Sequence, residues 1–189
     1  MATFVEELTP IRAKAADEIS SVVSDWERER PRQFWAPSRR LLRSIRKYQS
    51  WRDYKGPWRL LGPVFRRRWV ISHRFWSVVC GADIPINSQI DGGLLLPHPV
   101  GVVVHPSAQI GPNCLLNANV VLGVGGKLPG HPILEGHVDI GAGACILGGV
   151  RLGEHSVVGA NAVVLGDVPP FSTAVGAPAR IIPRRPSAP

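Results

Sequence analysis

A large aliphatic residue returns every six positions through much of the second half of the chain, and this period restricts the fold more than any other feature. The clearest members are Ile84, Ile90, Leu96, Ile110, Leu116, Leu122, Ile140, Ile146, Leu152, Val158 and Val164. A period of six fits neither an α-helix nor a simple alternating strand. It is typical of a hexapeptide β-helix, in which three short strands form each turn of a prism. The sequence therefore predicts a mainly β solenoid whose turns bury their interior against each other.

The period is interrupted at two places, and each interruption carries one histidine. The spacing from Leu96 to Val104, the next member of the series, is eight residues rather than six, and this segment holds His98 between two prolines. The Gly- and Pro-rich stretch 124–131 takes the place of one hexad and ends at His131. Glycine and proline favour loops, so we expect this stretch to leave the prism. Irregular segments on a rigid scaffold often carry function, which makes both histidines candidate site residues.

Positive charge and tryptophan are concentrated in the first part of the chain. Residues 1–80 contain 17 Lys/Arg and 8 Asp/Glu, whereas residues 81–189 contain 5 and 6. All six tryptophans also lie in the first part. We therefore divide the chain into a basic, Trp-rich helical region at 1–82, a hexapeptide β-helix at 83–170, and a C-terminal segment and tail at 171–189.

Three helices are expected in the first region. A Thr-Pro start followed by apolar residues at spacings of three and four predicts an amphipathic helix over about 9–29. Proline and glycine breaks then delimit a basic helix over about 38–51 and a third helix over about 64–79. At the other end, Pro169-Pro170 predict the end of the last coil, and the Pro- and Arg-rich tail after position 182 has the composition of a disordered segment.

The cysteines and the N-terminus favour a cytoplasmic protein. Cys80, Cys114 and Cys145 are too few and too scattered for a disulfide framework, and we expect reduced thiols. No long uncharged apolar run is present, so no transmembrane helix is expected. Glu6 and Glu7 near the N-terminus, with no basic stretch beside them, do not resemble a secretory signal.

An ordered set of motifs runs through the repeats. They are Asp83-Ile-Pro, His98-x-x-Gly-Val-Val-Val, Leu122-Gly-x-Gly-Gly-Lys, His131-Pro, Ile140-Gly-Ala-Gly-Ala-Cys-Ile-Leu-Gly, Val168-Pro-Pro and Val175-Gly-Ala-Pro-Ala-Arg. Over residues 81–183 this set resembles the serine acetyltransferase branch of the hexapeptide acyltransferases. The resemblance implies a left-handed parallel β-helix, a homotrimer, and acetyl-CoA bound in a groove between neighbouring prisms. No metal is expected.

Acetyl transfer from a thioester to an alcohol needs a base that takes the hydroxyl proton. Histidine titrates near neutrality and suits this role, and a carboxylate that fixes its tautomer assists it. His98 matches the base of the resembled family, Asp83 matches its supporting carboxylate, and His131 matches a second active-site histidine. Asp83 and His98 are 15 residues apart, close to three hexads, so we expect them on adjacent turns. In a trimer, the two histidines are expected on opposite sides of one subunit interface.

The same resemblance supplies a cofactor path. It places the pantetheine arm of CoA along Gly125, Ala142 and Ala160, with Arg180 close to the nucleotide phosphates, where a cation is favoured. Lys127 in the loop completes the expected cofactor-binding set and is also available to orient an acceptor.

Two departures from the family pattern bear on the acceptor. Pro97 stands where serine acetyltransferases have an Asp that binds the serine amino group, and Gly130 stands where they have an Arg that helps bind the carboxylate. A site without these charges is expected to hold a zwitterion poorly. We therefore expect an O-acetyltransferase that prefers a sugar or specialised metabolite, with serine O-acetylation for cysteine biosynthesis as the alternative.

Other functions remain as alternatives. A γ-type carbonic anhydrase would hold zinc with three histidines, for which His98, His131 and His137 are candidates. A non-catalytic trimeric scaffold is a further possibility. His105 and His155, like His137, otherwise fit ordinary surface turns. The basic N-terminal region is expected to pack as a helical cap that helps trimerisation, or to contact an anionic membrane surface, whereas no motif indicates nucleic-acid binding.

Overall fold

Three parallel sheets form the walls of a prism in the computed structural model, which describes residues 19–57 and 61–183. Face 1 contains β1 (Gln89–Ile90), β3 (Gln109–Ile110), β6 (Ile133–Leu134) and β9 (Arg151–Leu152). Face 2 contains β4 (Leu115–Leu116), β7 (Asp139–Ile140), β10 (Val157–Val158) and β12 (Ser172–Val175). Face 3 contains β2 (Val103–Val104), β5 (Val121–Gly123), β8 (Cys145–Leu147) and β11 (Val163–Val164).

The interior of the prism is the predicted stack of aliphatic residues. On face 3, Val104, Leu122, Ile146 and Val164 are cross-strand neighbours, and each is almost fully buried. The other two faces repeat this pattern, so every aliphatic residue of the six-residue period is buried. The prediction of a mainly β, hexapeptide-repeat fold is therefore confirmed.

The chain turns between faces at three edges, named the 1–2, 2–3 and 3–1 edges after the faces they join. Turns on one edge stack by backbone hydrogen bonds. On the 2–3 edge, the N–H groups of Asn119, Gly143 and Asn161 donate to the preceding coil at 2.8 Å each. These three residues have positive φ, a conformation that glycine and asparagine adopt most readily. Small residues between hexads thus set the corners.

The coils continue past Pro169-Pro170, so the prediction that these prolines end them is wrong. Val168 still bridges to Leu152 on face 1, and β12 then pairs parallel with β10 on face 2. The prolines lie at the corner, where the N–H of Phe171 donates to the carbonyl of Glu154. Proline is tolerated there because no ladder bond requires its missing N–H. The chain then reverses, and β13 (Arg180–Pro183) pairs antiparallel with β12.

Two helices close the first end of the prism, in agreement with the predicted second and third helices. α1 spans Pro37–Arg52 and α2 spans Gly62–Cys80. On α1, Leu41, Leu42 and Ile45 are buried in the same core as Ile84 of the first coil. A solenoid needs such a cap because its terminal coil has no neighbour to cover its interior.

The segment before α1 departs from the predicted first helix. Residues 9–18 lie outside the described residues, and between residue 19 and the start of α1 only Trp26–Arg28 is helical, as a single 3-10 turn. The side-chain amide of Asn113 donates to the carbonyls of Ser20 and Val23, at 2.7 and 2.8 Å. These bonds hold the segment on the 1–2 edge in an irregular path, because tertiary hydrogen bonds outweigh a weak helix propensity.

The structure also bears on the expected membrane spans, thiols and tail. Neither described helix combines the length and apolarity that crossing a bilayer requires. All three cysteines are free, and burial raises the pKa of Cys114 to about 12. The predicted disordered tail falls mostly on residues 184–189, which lie outside the described residues.

Candidate active site

His98 lies in an exposed turn on the 2–3 edge, in the two-residue insertion seen in the sequence. Gly101 closes this turn with a φ of +71°, and its N–H donates to the carbonyl of Gly81 at 2.8 Å. A Cβ at position 101 would lie 2.0 Å from Oδ1 of Asn119, so any residue larger than glycine would have to displace the asparagine side chain. The turn is thereby fixed to the stacked edge while the His98 side chain remains at the surface.

Asp83 opens the first coil beside the strand that follows the His98 turn. Its N–H donates to the carbonyl of Val102 at 2.8 Å, and its carbonyl accepts from the N–H of Val104 at 2.9 Å. Its side chain is exposed, as is that of His98. No side-chain hydrogen bond joins the two residues within 19–57 and 61–183. The backbone therefore brings the pair to the same corner of the prism but does not lock them together.

Small residues continue the 2–3 edge beyond the His98 turn. The carbonyl oxygen of Ala142 accepts a hydrogen bond from the backbone N–H of Asn161, and Ala142 and Ala160 are both exposed. Their short side chains leave the backbone open to an extended ligand lying along the edge. Farther along the edge, the carbonyl oxygen of Val163 accepts a hydrogen bond from the N–H of Ala179 in the C-terminal turn, at 2.8 Å. Arg180 follows this turn and is exposed. His98, Ala142, Ala160 and Arg180 thus follow one edge in order.

The stretch 124–131 leaves the prism at the 3–1 edge, as predicted. Residues 124–130 are all exposed, including Gly125 and Lys127. The loop folds back on the next coil, where the N–H of Gly149 donates to the carbonyl of Leu128 at 3.0 Å. A Cβ at Gly148 would lie 2.4 Å from the carbonyl oxygen of Gly125, so the close approach depends on glycine.

His131 ends this loop and stacks on His105, a residue that sequence reasoning assigned to an ordinary surface turn. The ring centroids are 4.5 Å apart and the planes differ by 13°. Nδ1 of His105 accepts from the N–H of Ser107 at 3.2 Å, so a neutral His105 carries its proton on Nε2. Nδ1 of His131 is buried and has no hydrogen-bond partner in the described part of the chain. Buried polar atoms are normally paired, so this nitrogen marks a place for a further group.

The two candidate histidines lie on different edges of one chain. His98 is on the 2–3 edge and His131 on the 3–1 edge, so face 3 separates them. Gly125 and Lys127 accompany His131, whereas Ala142 and Ala160 accompany His98. A single chain therefore does not unite the expected site residues, and the expected cofactor path is divided between two edges.

The histidines proposed for a zinc site do not cluster either. His137 lies on the 1–2 edge, where its Nδ1 is 2.7 Å from Nδ1 of His155. His98, His131 and His137 thus occupy three different edges. Among residues 19–57 and 61–183, no group of three or more His, Cys, Asp or Glu side chains is placed to hold a metal ion.

Comparisons with known proteins connect this arrangement to one family. No family model matches the chain. Serine acetyltransferase of Helicobacter pylori strain J99 is 38% identical over 131 residues, covering 66% of this chain and 77% of that protein. The chain is also 47% identical to a probable serine acetyltransferase of Oryza sativa and 40% identical to serine acetyltransferase of Synechococcus elongatus, but it spans only 35% and 49% of these two proteins.

Solved structures give the same result. Soybean serine acetyltransferase complexed with serine has a TM-score of 0.63 and 38% identity, covering 77% of this chain and 57% of that one. A serine acetyltransferase in complex with CoA has a TM-score of 0.63 and 30% identity, covering 79% and 58%. This likeness confirms the expected left-handed winding of the β-helix. On sequence and structure together, the chain belongs to the serine acetyltransferase family.

Proposed function

We propose that the chain is an acetyl-CoA-dependent O-acetyltransferase with His98 as general base. The observation that carries this proposal is the continuity of the 2–3 edge, on which the exposed His98 turn is followed by the small-residue turns of Ala142 and Ala160. An extended thioester lying along these turns would present its acetyl group near the imidazole. Proximity of base and thioester is what a one-step acyl transfer requires.

In the proposed reaction, the neutral imidazole of His98 accepts the hydroxyl proton of the acceptor. The alcohol oxygen attacks the thioester carbonyl, and the tetrahedral intermediate collapses with cleavage of the C–S bond. The imidazolium returns its proton to the departing sulfur, so the products are an O-acetyl ester and CoA. The carboxylate of Asp83, at the same corner, favours the imidazolium as it forms.

We further propose that the complete site forms between two copies of the chain in a homotrimer. The 2–3 edge of one copy would supply His98, Asp83, Ala142, Ala160 and Arg180. The 3–1 edge of its neighbour would supply Gly125, Lys127 and His131. The separation of these sets across face 3 supports this arrangement, and so does the buried, unpartnered Nδ1 of His131.

For the acceptor, we propose L-serine, which reverses the preference drawn from sequence. The relatives favour serine, since the chain matches serine acetyltransferases at 38% identity or more over most of its prism. A neutral alcohol, such as a sugar hydroxyl, is the second candidate. It is favoured by exposed Pro97 and Gly130, neither of which can provide the charges that hold an amino acid in the family.

A thiol-release assay with acetyl-CoA separates these acceptors. The purified 189-residue chain is given L-serine, L-homoserine, D-serine, free oligosaccharides and sugar nucleotides, and the His98→Ala variant measures the background of uncatalysed hydrolysis. We expect L-serine turnover with kcat/KM of about 10⁴ M⁻¹s⁻¹ or more. Turnover of a sugar with no response to L-serine would overturn the serine proposal but keep the transferase. No release with any acceptor, together with no CoA binding by calorimetry, would favour a scaffold.

A further inference from the structure

Helix α2 has two faces, and only one is covered by the rest of the described chain. On the covered face, Phe65 stacks on Trp51 with centroids 4.3 Å apart, and Nε2 of His73 lies 2.9 Å from the carbonyl oxygen of Ile84. Trp76, also on this face, packs against the hydrophobic core. These contacts fix how the helix is rotated about its axis, and hence which residues point away from the protein.

The opposite face of α2 carries an exposed apolar stripe. Val64, Ile71, Phe75 and Val78 are 68%, 63%, 55% and 83% exposed. At 3.6 residues per turn they fall within an arc of about 60°. Single exposed apolar side chains are common, but four aligned on one helix indicate a surface that becomes covered.

Arginines border this stripe on both sides. Arg68 lies along one margin and Arg67 and Arg74 along the other, and all three are exposed. α1 and α2 together contain ten Lys/Arg and no Asp/Glu. Within the described residues, only Arg46 and Arg52 of these ten form ion pairs. The outer face of α2 thus carries an apolar stripe that is bordered by positively charged side chains.

We propose that the outer face of α2 docks on the surface of an anionic lipid bilayer. The four apolar side chains would enter the boundary between headgroups and acyl chains, while the flanking arginines contact lipid phosphates. This combination of a narrow apolar face and a cationic border is what binds interfacial helices to anionic membranes.

The charge pattern favours lipid over the two other possible occupants. If two copies packed against each other through this face, the arginines of one copy would lie against those of the other, and like charges repel. A nucleic acid would satisfy the arginines but would leave the apolar stripe without a partner. An anionic bilayer satisfies both features at once.

Docking in this orientation would hold the first coil near the lipid headgroups. α2 ends at Cys80, and the next residue, Gly81, accepts a hydrogen bond from Gly101 in the His98 turn. The docking face is therefore continuous with the corner that carries His98. This location does not depend on the proposed catalytic function.

Vesicle flotation with the full chain tests the proposal. The probes are phosphatidylcholine vesicles and vesicles containing roughly one-third phosphatidylglycerol. We expect binding to the anionic vesicles only, and less binding as salt rises. The charge variant Arg67→Glu/Arg68→Glu/Arg74→Glu and the stripe variant Ile71→Ser/Phe75→Ser/Val78→Ser should each lower partitioning by about tenfold or more. The matched control is Val22→Ser/Val23→Ser, which changes side chains that are 80% and 70% exposed on the 1–2 edge.

Folding and oligomer mass are measured for each variant by circular dichroism and light scattering. Equal binding to both kinds of vesicle, or no binding by the unmodified chain, would overturn the proposal. A stripe variant with a smaller oligomer mass would assign the face to contacts between copies instead. Binding to duplex DNA that depends on the arginines but not on the stripe, without binding to vesicles, would assign it to nucleic acid.

Discussion

At the scale of single residues, the two candidate histidines are held very differently. His98 is exposed and has no side-chain hydrogen bond in the described chain, whereas His131 is half-buried against the ring of His105. An exposed imidazole is free to exchange protons with an acceptor. A stacked imidazole with a buried, unpaired nitrogen is suited to holding a group in one orientation. We therefore propose that His98 transfers the proton and that His131 orients the acceptor.

Replacement of His98 by alanine tests the first role. Loss of a positioned general base should lower kcat by roughly 10²–10⁴ while the fold is retained. The control is Val100→Ala, which shortens a side chain that is 61% exposed in the same turn and should change kcat by less than about threefold. Steady-state thiol release measures both variants. A His98→Ala enzyme with near-normal kcat would remove this residue from the mechanism.

His105 should act as a positioning residue through its stack on His131. His105→Ala removes the stacking surface and should raise the KM for the acceptor several-fold, because His131 loses its fixed orientation. His105→Phe keeps an aromatic ring at the same place and should restore most of the affinity. Acceptor KM and kcat are measured separately for both variants. If alanine and phenylalanine behave alike, stacking is not what matters at this position.

At the scale of elements, the edges of the prism determine where functional groups stand. The hexad pattern predicted the walls because a residue that recurs every six positions falls at the same interior place in each strand. Ile110 and Leu122, for example, are both buried in the stack. The pattern also located the His98 insertion, which breaks the period, whereas the 124–131 loop was predicted from the glycines and prolines that replace one hexad. The stacking of His131 on His105 was not predictable, because it joins two turns 26 residues apart whose relation depends on how the loop folds back.

The N-terminal segment shows the same limit. Apolar residues at helical spacing predicted a helix there, yet Val22 and Val23 are largely exposed. The segment is held instead by Asn113, a corner residue of the prism with a φ of +61°. Local periodicity cannot report such a partner, because the bond depends on a residue about 90 positions away.

Gly101 should be a stability determinant of the His98 turn. Its φ of +71° and the 2.0 Å approach of a Cβ to Asn119 mean that Gly101→Ala strains the backbone and displaces the asparagine. We expect a loss of about 1–3 kcal/mol in the free energy of unfolding. Gly166→Ala is the control, since no atom lies within 4 Å of its added Cβ and its φ is not in the positive region. It should be neutral or slightly stabilising in the same denaturant titration.

The open 2–3 edge should be the cofactor groove. Ala160→Trp places a bulky ring on the proposed path of the pantetheine arm, so CoA affinity should fall by at least about tenfold. Gln109→Trp adds the same ring to exposed face 1 and should leave CoA affinity unchanged. Calorimetry with CoA and light scattering for oligomer mass separate a blocked groove from a broken assembly. If Ala160→Trp binds CoA with unchanged affinity, the cofactor binds somewhere other than this edge.

At the scale of the whole molecule, the proposed assembly of the site between two copies depends on face 3. Its outward side chains include Val103, Val121, Cys145, Leu147 and Val163, an apolar surface between the two histidine-bearing edges. Covering this face with a neighbouring copy would remove apolar area from water and bring the 2–3 edge of one chain towards the 3–1 edge of the next. The cap formed by α1 and α2 leaves this arrangement possible, because it covers the end of the prism.

A mixed-subunit experiment distinguishes a shared site from a site within one chain. His98→Ala and His131→Ala chains carrying different tags are co-expressed, and assemblies with both tags are purified in two affinity steps. If each site takes His98 from one chain and His131 from its neighbour, a trimer that contains both kinds of chain has both histidines intact in about one third of its sites, because only one of its three interfaces joins the two intact residues. The doubly tagged assemblies should then recover a comparable fraction of normal turnover, although each variant alone has almost none. Mixing the two purified variants without subunit exchange is the control and should recover nothing. If the co-expressed assemblies are as inactive as the separate variants, both histidines act within one chain, and the loop 124–131 must then move across face 3 to bring them together.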